Sequence, residues 1–127
     1  MLRRAIVQKI KDSVPDLAGR VYQAFLAPPN AKLPYVTVKL ATPRGSPNIS
    51  FAGTQPVEVY LYNSQDSFIT LDALELAIAA VLHEAEIEDG QTGEKYYLNW
   101  GAGSGDFVDT EKKLIGRMVT FNAALII

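Results

Sequence analysis

Residues 55–82 read QPVEVYLYNSQDSFITLDALELAIAAVL, and a change of period inside this stretch decides the fold. Val57, Val59 and Leu61 alternate with Glu58, Tyr60 and Tyr62, a period of two that predicts a strand with one buried face. Further on, Phe68, Leu71, Leu74, Ile78, Val81 and Leu82 recur at steps of three and four, which is one face of a helix. Between the two, Asn63, Ser64, Gln65 and Asp66 are residues whose side chains bond nearby backbone in turns and at helix starts. A sheet with one apolar face and a helix with one apolar stripe each need cover, and this pair supplies it for both.

Outward toward the N-terminus, Tyr35 to Ala41 alternates again, with Val36, Val38 and Leu40 on one face. Before it, Pro28, Pro29 and Pro34 fix the backbone of a stiff loop and remove amide donors, which predicts a surface position. Arg20 to Phe25 reads as a short strand, and residues 2–13 as a helix with Leu2, Ile6, Val7, Ile10 and Val14 on its apolar side, stopped by Pro15. Residues 42–56 hold three prolines and two glycines and predict a long hairpin loop. Ile49 and Phe51 within it either fold back on the domain or anchor a partner.

Outward toward the C-terminus, residues 83–89 turn acidic and Gly90 and Gly93 predict a turn. Lys95 to Trp100 alternates with Tyr96, Leu98 and Trp100 on one side, GAGSG at 101–105 reads as a flexible loop, and Leu114 to Ile127 reads as a long strand. The order α-β-β-β-α-β-β predicts an α+β fold: one domain over residues 1–127, a mostly antiparallel sheet, and both helices on one face. Val57, Val59, Leu61, Leu71, Leu74, Ile78, Val119 and Phe121 are the expected core.

The 127 residues suit a single core, and 48% hydrophobic with 20% charged is ordinary for a globular chain. The absence of cysteine excludes disulfides, a thiolate nucleophile and cysteine-held zinc. No apolar run reaches about 18 residues, so no membrane span is expected. MLRRAIVQKIKDS lacks the apolar segment of a secretory signal, and a cytoplasmic product is expected. Charge is uneven: residues 1–44 carry eight basic side chains against Asp12 and Asp16, while residues 45–111 carry twelve acids against Lys95 alone. Such a split suits either head-to-tail contact between copies, with Arg44 meeting a neighbour's acidic segment, or simple solvation.

Chemistry is sparse. His83, the one histidine, follows the central helix, where a cation is favourable, and has no visible triad or metal partner in sequence. GAGSG lacks the GK[ST] ending of a phosphate loop and runs into Asp106 and Asp109, which repel phosphate. The acid runs lack the spacing of a calcium loop. The overall acidic balance disfavours a dedicated nucleic-acid binder, although exposed tyrosines on a sheet leave that class in view. No catalytic, metal or cofactor-binding residue is therefore expected. Tyr60, Tyr62 and Tyr97 are expected on the sheet face away from the central helix, where tyrosines either pair across strands or form an interface.

The succession Gly19-Arg20-Val21-Tyr22, then Pro28-Pro29, Leu33-Pro34-Tyr35-Val36-Thr37-Val38, Val57-Glu58-Val59-Tyr60-Leu61-Tyr62, a long helix and Gly116-Arg117-Met118-Val119-Thr120-Phe121 resembles the tail-completion, or tail-terminator, proteins of long-tailed bacteriophages and prophages. The resemblance implies a non-enzymatic virion protein that caps the finished tail tube as a ring, typically a hexamer, and joins tail to head. Implied partners are further copies, the tail tube protein and the head or neck connector, with DNA only passing through the ring and no membrane. It places the protein at the tail or head–tail junction of a virion assembled in the bacterial cytoplasm. Arg44, Ile49, Phe51, Tyr60, Tyr62 and Tyr97 are the interface candidates. The competing readings are a neck or head-completion protein of the same assembly, and a small-molecule-binding or enzymatic α+β domain with loops 42–56 and 101–105 as its pocket mouth.

Overall fold

A computed structural model describes residues 1–41, 54–65 and 67–126. Helix α1 (Leu2–Ser13) and a 3-10 turn (Pro15–Leu17) lead into strand β1 (Val21–Gln23). Strands β2 (Tyr35–Leu40) and β3 (Gln55–Ser64) follow, then helix α2 (Phe68–Leu82) and strands β4 (Ala85–Glu88), β5 (Lys95–Asp109) and β6 (Leu114–Ile126). The strands form one sheet in the order β1-β2-β3-β6-β5-β4. β1 and β2 are parallel and the other four pairings are antiparallel, so the sheet is mixed.

The expected core is present. Val57, Val59, Leu61, Leu71, Ile78 and Phe121 are fully buried, and Leu74 and Val119 nearly so. They join Ala5, Ile6 and Ile10 of α1 and Val36 and Val38 of β2 in one cluster, with α1 and α2 on the same side of the sheet. The sheet curls: α1 packs against β1 and β2 and also against β4, which lies at the opposite edge. Arg4 fastens that closure. Its Nε and Nη2 donate to the two carboxylate oxygens of Asp89 at 2.9 and 2.7 Å, and the Asp89 side chain is buried. The Arg4 guanidinium, with the Met1 ammonium, holds that carboxyl well below the usual carboxylate range. On the other side of the core, the nearly buried Arg117 of β6 reaches Asp72 of α2 at 2.7 Å and donates to Asp106 of β5 at 2.9 and 2.5 Å, tying helix to hairpin.

Three expectations need correction. Residues 83–89 hold a strand, Ala85–Glu88, whose alternating glutamates reflect an edge position with one face in water. GAGSG is not a loop. It lies inside β5, which runs to Asp109 against β6 with register shifts between Trp100 and Ala102 and between Gly103 and Asp106. Glycine suits such a bulged stretch: a Cβ on Gly101 would stand 3.0 Å from the Asn122 side chain and 3.1 Å from the Thr120 carbonyl oxygen. The loop expected over 42–56 ends sooner, because β3 already starts at Gln55. Gln55 Nε2 donates to the Ala41 carbonyl and the Ala41 amide donates to that of Pro56 (3.0 Å), which pins the two ends together.

Candidate functional site

The face of the sheet turned away from the helices is aromatic. Strand alternation places Tyr35, Thr37 and Lys39 of β2 there, opposite Tyr62, Tyr60 and Glu58 of β3. Tyr22 stands edge-on to Tyr35 with ring centroids 5.9 Å apart, Tyr35 leans on Tyr62 at 5.1 Å, and Tyr62 lies nearly parallel to Tyr60 at 6.3 Å. Phe107 of β5 closes the row edge-on to Tyr62 at 6.1 Å. Its ring covers Gly116 of β6 so closely that a Cβ there would fall 2.5 Å from it.

Because β1 and β2 are parallel, the chain must cross over between them, and the proline-rich segment 24–34 makes that crossing over the aromatic face. Loop and sheet enclose a groove of about 760 Å³, floored by Tyr35, Thr37, Tyr60 and Tyr62, walled by Phe25, Pro28, Pro29 and Leu33, and flanked by Lys39, Lys112 and Asp109. Burial raises the pKa of the Tyr35 and Tyr62 hydroxyls, and burial together with a 2.7 Å hydrogen bond to Glu58 pushes Tyr60 up to about 12. At neutral pH these groups are protonated donors. The groove can therefore bind apolar, flat or hydrogen-bond-accepting surfaces, and its tyrosines are not poised as bases.

Of the interface candidates, Tyr60 and Tyr62 meet in this groove. Tyr97 lies on the same face but on β5, between Glu86 and Ala124, exposed and outside the groove. Arg44, Ile49 and Phe51 lie outside the described residues. His83 caps α2 and its Nδ1 accepts the Trp100 amide at 2.9 Å, beside the first register shift of β5. Among the described residues no group of three or more His, Asp or Glu is placed to hold a metal, and no helix is long and apolar enough to cross a membrane. The strand order sets acidic β4, with Glu86 and Glu88, at one edge of the sheet and β1 and β2, with Arg20 and Lys39 nearby, at the other.

Exposed apolar residues were the part sequence reasoning missed. Phe25 is 89% exposed and Leu26 66%, while on α2 Ile69 is 78% and Leu76 72% exposed. The available signals were the apolar dipeptide inside a proline loop and a helix, FITLDALELAIAAVL, whose apolar residues extend beyond the inner stripe to Ile69 and Leu76.

No protein-family model and no curated protein matches the chain. Among solved structures it is similar in fold to a chain of a structure described as the virion of a native gene transfer agent (GTA) particle. The TM-score is 0.73 at 17% identity, over 98% of this chain and 93% of that one.

Proposed function

We propose that this protein is a structural component of a phage-type virion: a single tail-terminator-like domain that caps the tail tube as a ring, a hexamer, and joins tail to head. The observation that carries the virion reading is the end-to-end fold likeness to a chain of a gene transfer agent virion, and the finer tail-completion role rests on the resemblance in strand and loop order. An aromatic groove whose hydroxyls stay protonated favours contact over acid–base chemistry, which supports a non-enzymatic role. Partners are further copies, the tail tube and the head connector, with Arg44, Ile49, Phe51, Tyr60, Tyr62 and Tyr97 as contributing residues.

Tail tubes made without a terminator, incubated with the purified protein and viewed by electron microscopy, test the reading. The expected result is a ring of density at one tube end and tubes of restored competence to join heads. Tubes left bare at every concentration, with the protein monomeric, overturn it. In the same assay the double change Ile49→Ser with Phe51→Ser is expected to lower joining without shifting the monomer melting temperature.

A further inference from the structure

β5 outruns its neighbour. It is 15 residues long, whereas β4 beside it has 4 residues and pairs only with residues 95–98. Past Leu98, among the described residues, no strand lies on that side of β5. His83 takes the Trp100 amide, and every residue from 101 to 106 is exposed. A strand edge without a partner presents a row of backbone N–H and C=O groups that pairs readily with another chain. Residues 101–109 leave room for an added strand of ordinary length, about 5–6 residues. The other two edges are better guarded. β4 exposes Glu86 and Glu88, so a second β4 laid against it would set acid against acid. β1 has three residues, and turns take up two of its backbone groups: the Val21 amide donates to the Gly19 carbonyl at 2.9 Å, and the Gln23 carbonyl accepts from the Leu26 amide at 3.0 Å. On β5 the only guards are the two register shifts, which bend the strand without supplying a partner.

What matches a row of backbone groups at strand spacing is an extended peptide. The charge of that peptide follows from what stands over the edge. Asp72, Glu75, Ala79 and His83 follow one another along α2 at steps of three and four, and this stripe tracks β5. Asp72 meets Arg117, which also holds Asp106 of β5; a Cβ on Gly103 would stand 3.8 Å from Glu75; and His83 holds Trp100. Asp72, Glu75 and Asp106 share Arg117 as their one cation, so two of the three negative charges stay uncompensated. Beside the stripe, Leu76 is exposed on the apolar ridge that it forms with Ile69, Ala73 and Ala80. Lys or Arg at alternate positions of an added strand would lay their stems against Leu76 and bring their charges to the carboxylates.

We propose that the open edge of β5 over residues 101–109 receives an additional strand from another protein, an extended segment with Lys or Arg at alternate positions facing α2. The contact stands apart from the ring reading, because a single copy holds the whole edge. The probe is the synthetic peptide TKTKTKT, titrated into the intact protein. Trp100, the one tryptophan, lies at the start of the edge and reports binding by its fluorescence, and amide exchange followed by NMR reports the place. The expected result is a saturable change, with exchange slowed at least about tenfold at amides within residues 99–109 and unchanged on β2. The peptide TKPKPKT keeps every lysine and loses two amide donors, and TETETET reverses the charge; each is expected to bind about tenfold more weakly. Glu75→Gln is expected to melt as the wild type and to bind TKTKTKT about threefold more weakly. Equal binding of TKTKTKT and TKPKPKT overturns strand pairing, since charge alone would then suffice. Protection that falls on Tyr60 and Tyr62 overturns the location. Amides of residues 101–108 that are all slow to exchange in the protein alone overturn the open edge, and no saturation by about 1 mM peptide overturns the site.

Discussion

The inner face of the sheet carries Val36, Val38, Val57, Val59, Leu61, Val119 and Phe121, all buried beneath α1 and α2. The outer face carries Tyr22, Tyr35, Tyr60, Tyr62 and Phe107, with the 24–34 crossing over part of it. Branched aliphatic chains fill a closed volume and need no hydrogen-bond partner, so they suit full cover. A tyrosine packs its ring on its neighbours while its hydroxyl can still donate a hydrogen bond, as Tyr60 does to Glu58, so it suits a face that is only partly covered. The closed core therefore lies on the inner face, and the outer face is only partly covered.

The sharpest way to test this division is Phe121→Ala. It opens a cavity in the closed side and is expected to cost about 3–5 kcal/mol in denaturant unfolding. A loss below 1 kcal/mol would show that the helices do not seal the inner face. Next comes Gly116→Ala. The new methyl meets the Phe107 ring and sits 3.2 Å from the Leu61 carbonyl oxygen, so a loss of about 1–3 kcal/mol is expected. Adding Phe107→Ala should cost little more, because the clash and the lost ring are one defect. Full additivity would mean the ring does not rest on Gly116.

A smaller effect is expected at high pH. The folded chain holds the Tyr60 proton to about pH 12, while an unfolded tyrosine releases it near pH 10. Between those values the unfolded state gains by ionising and the folded state does not, so stability falls as pH rises and is unaffected below pH 10. Tyr60→Phe should flatten the decline in thermal melts, and an unchanged slope would place the sensitivity elsewhere. The smallest effect belongs to Leu76→Ser. An exposed helix position should leave the monomer within about 0.5 kcal/mol of wild type. A larger loss would mean that the ridge is covered within the chain.

Sequence alternation located the inner face because burial on one side imposes a period of two, and the stretch over 57–61 obeys it without exception. The first helix was legible to the residue, since Pro15 stops it, and the second was legible from its apolar stripe after the polar run before Phe68. The distal half of β5 was not legible. Residues 101–105 have poor strand propensity, and they are extended because β6 pairs with them, which is a long-range fact. β4 was hidden for a related reason: its four residues expose their glutamates and bury Ile87, too short a pattern to register. Of the candidate site, Tyr60 and Tyr62 were readable from alternation. The groove was not, because it depends on where the 24–34 crossing lands.

The place of β6 in the sheet bears on how the chain can be synthesised and matured. The strand made last of the six sits in the middle, between β3 and β5, and is the only link between β1-β2-β3 and β5-β4 within the sheet. Four of the five pairings join strands consecutive in sequence, whereas the one that joins the two halves, β3 with β6, spans the longest separation and cannot form until residues 114–126 emerge. A ribosome-stalled chain ending at residue 113 should be protease-sensitive throughout, and supplying residues 114–126 as a separate peptide should restore resistance to both halves together.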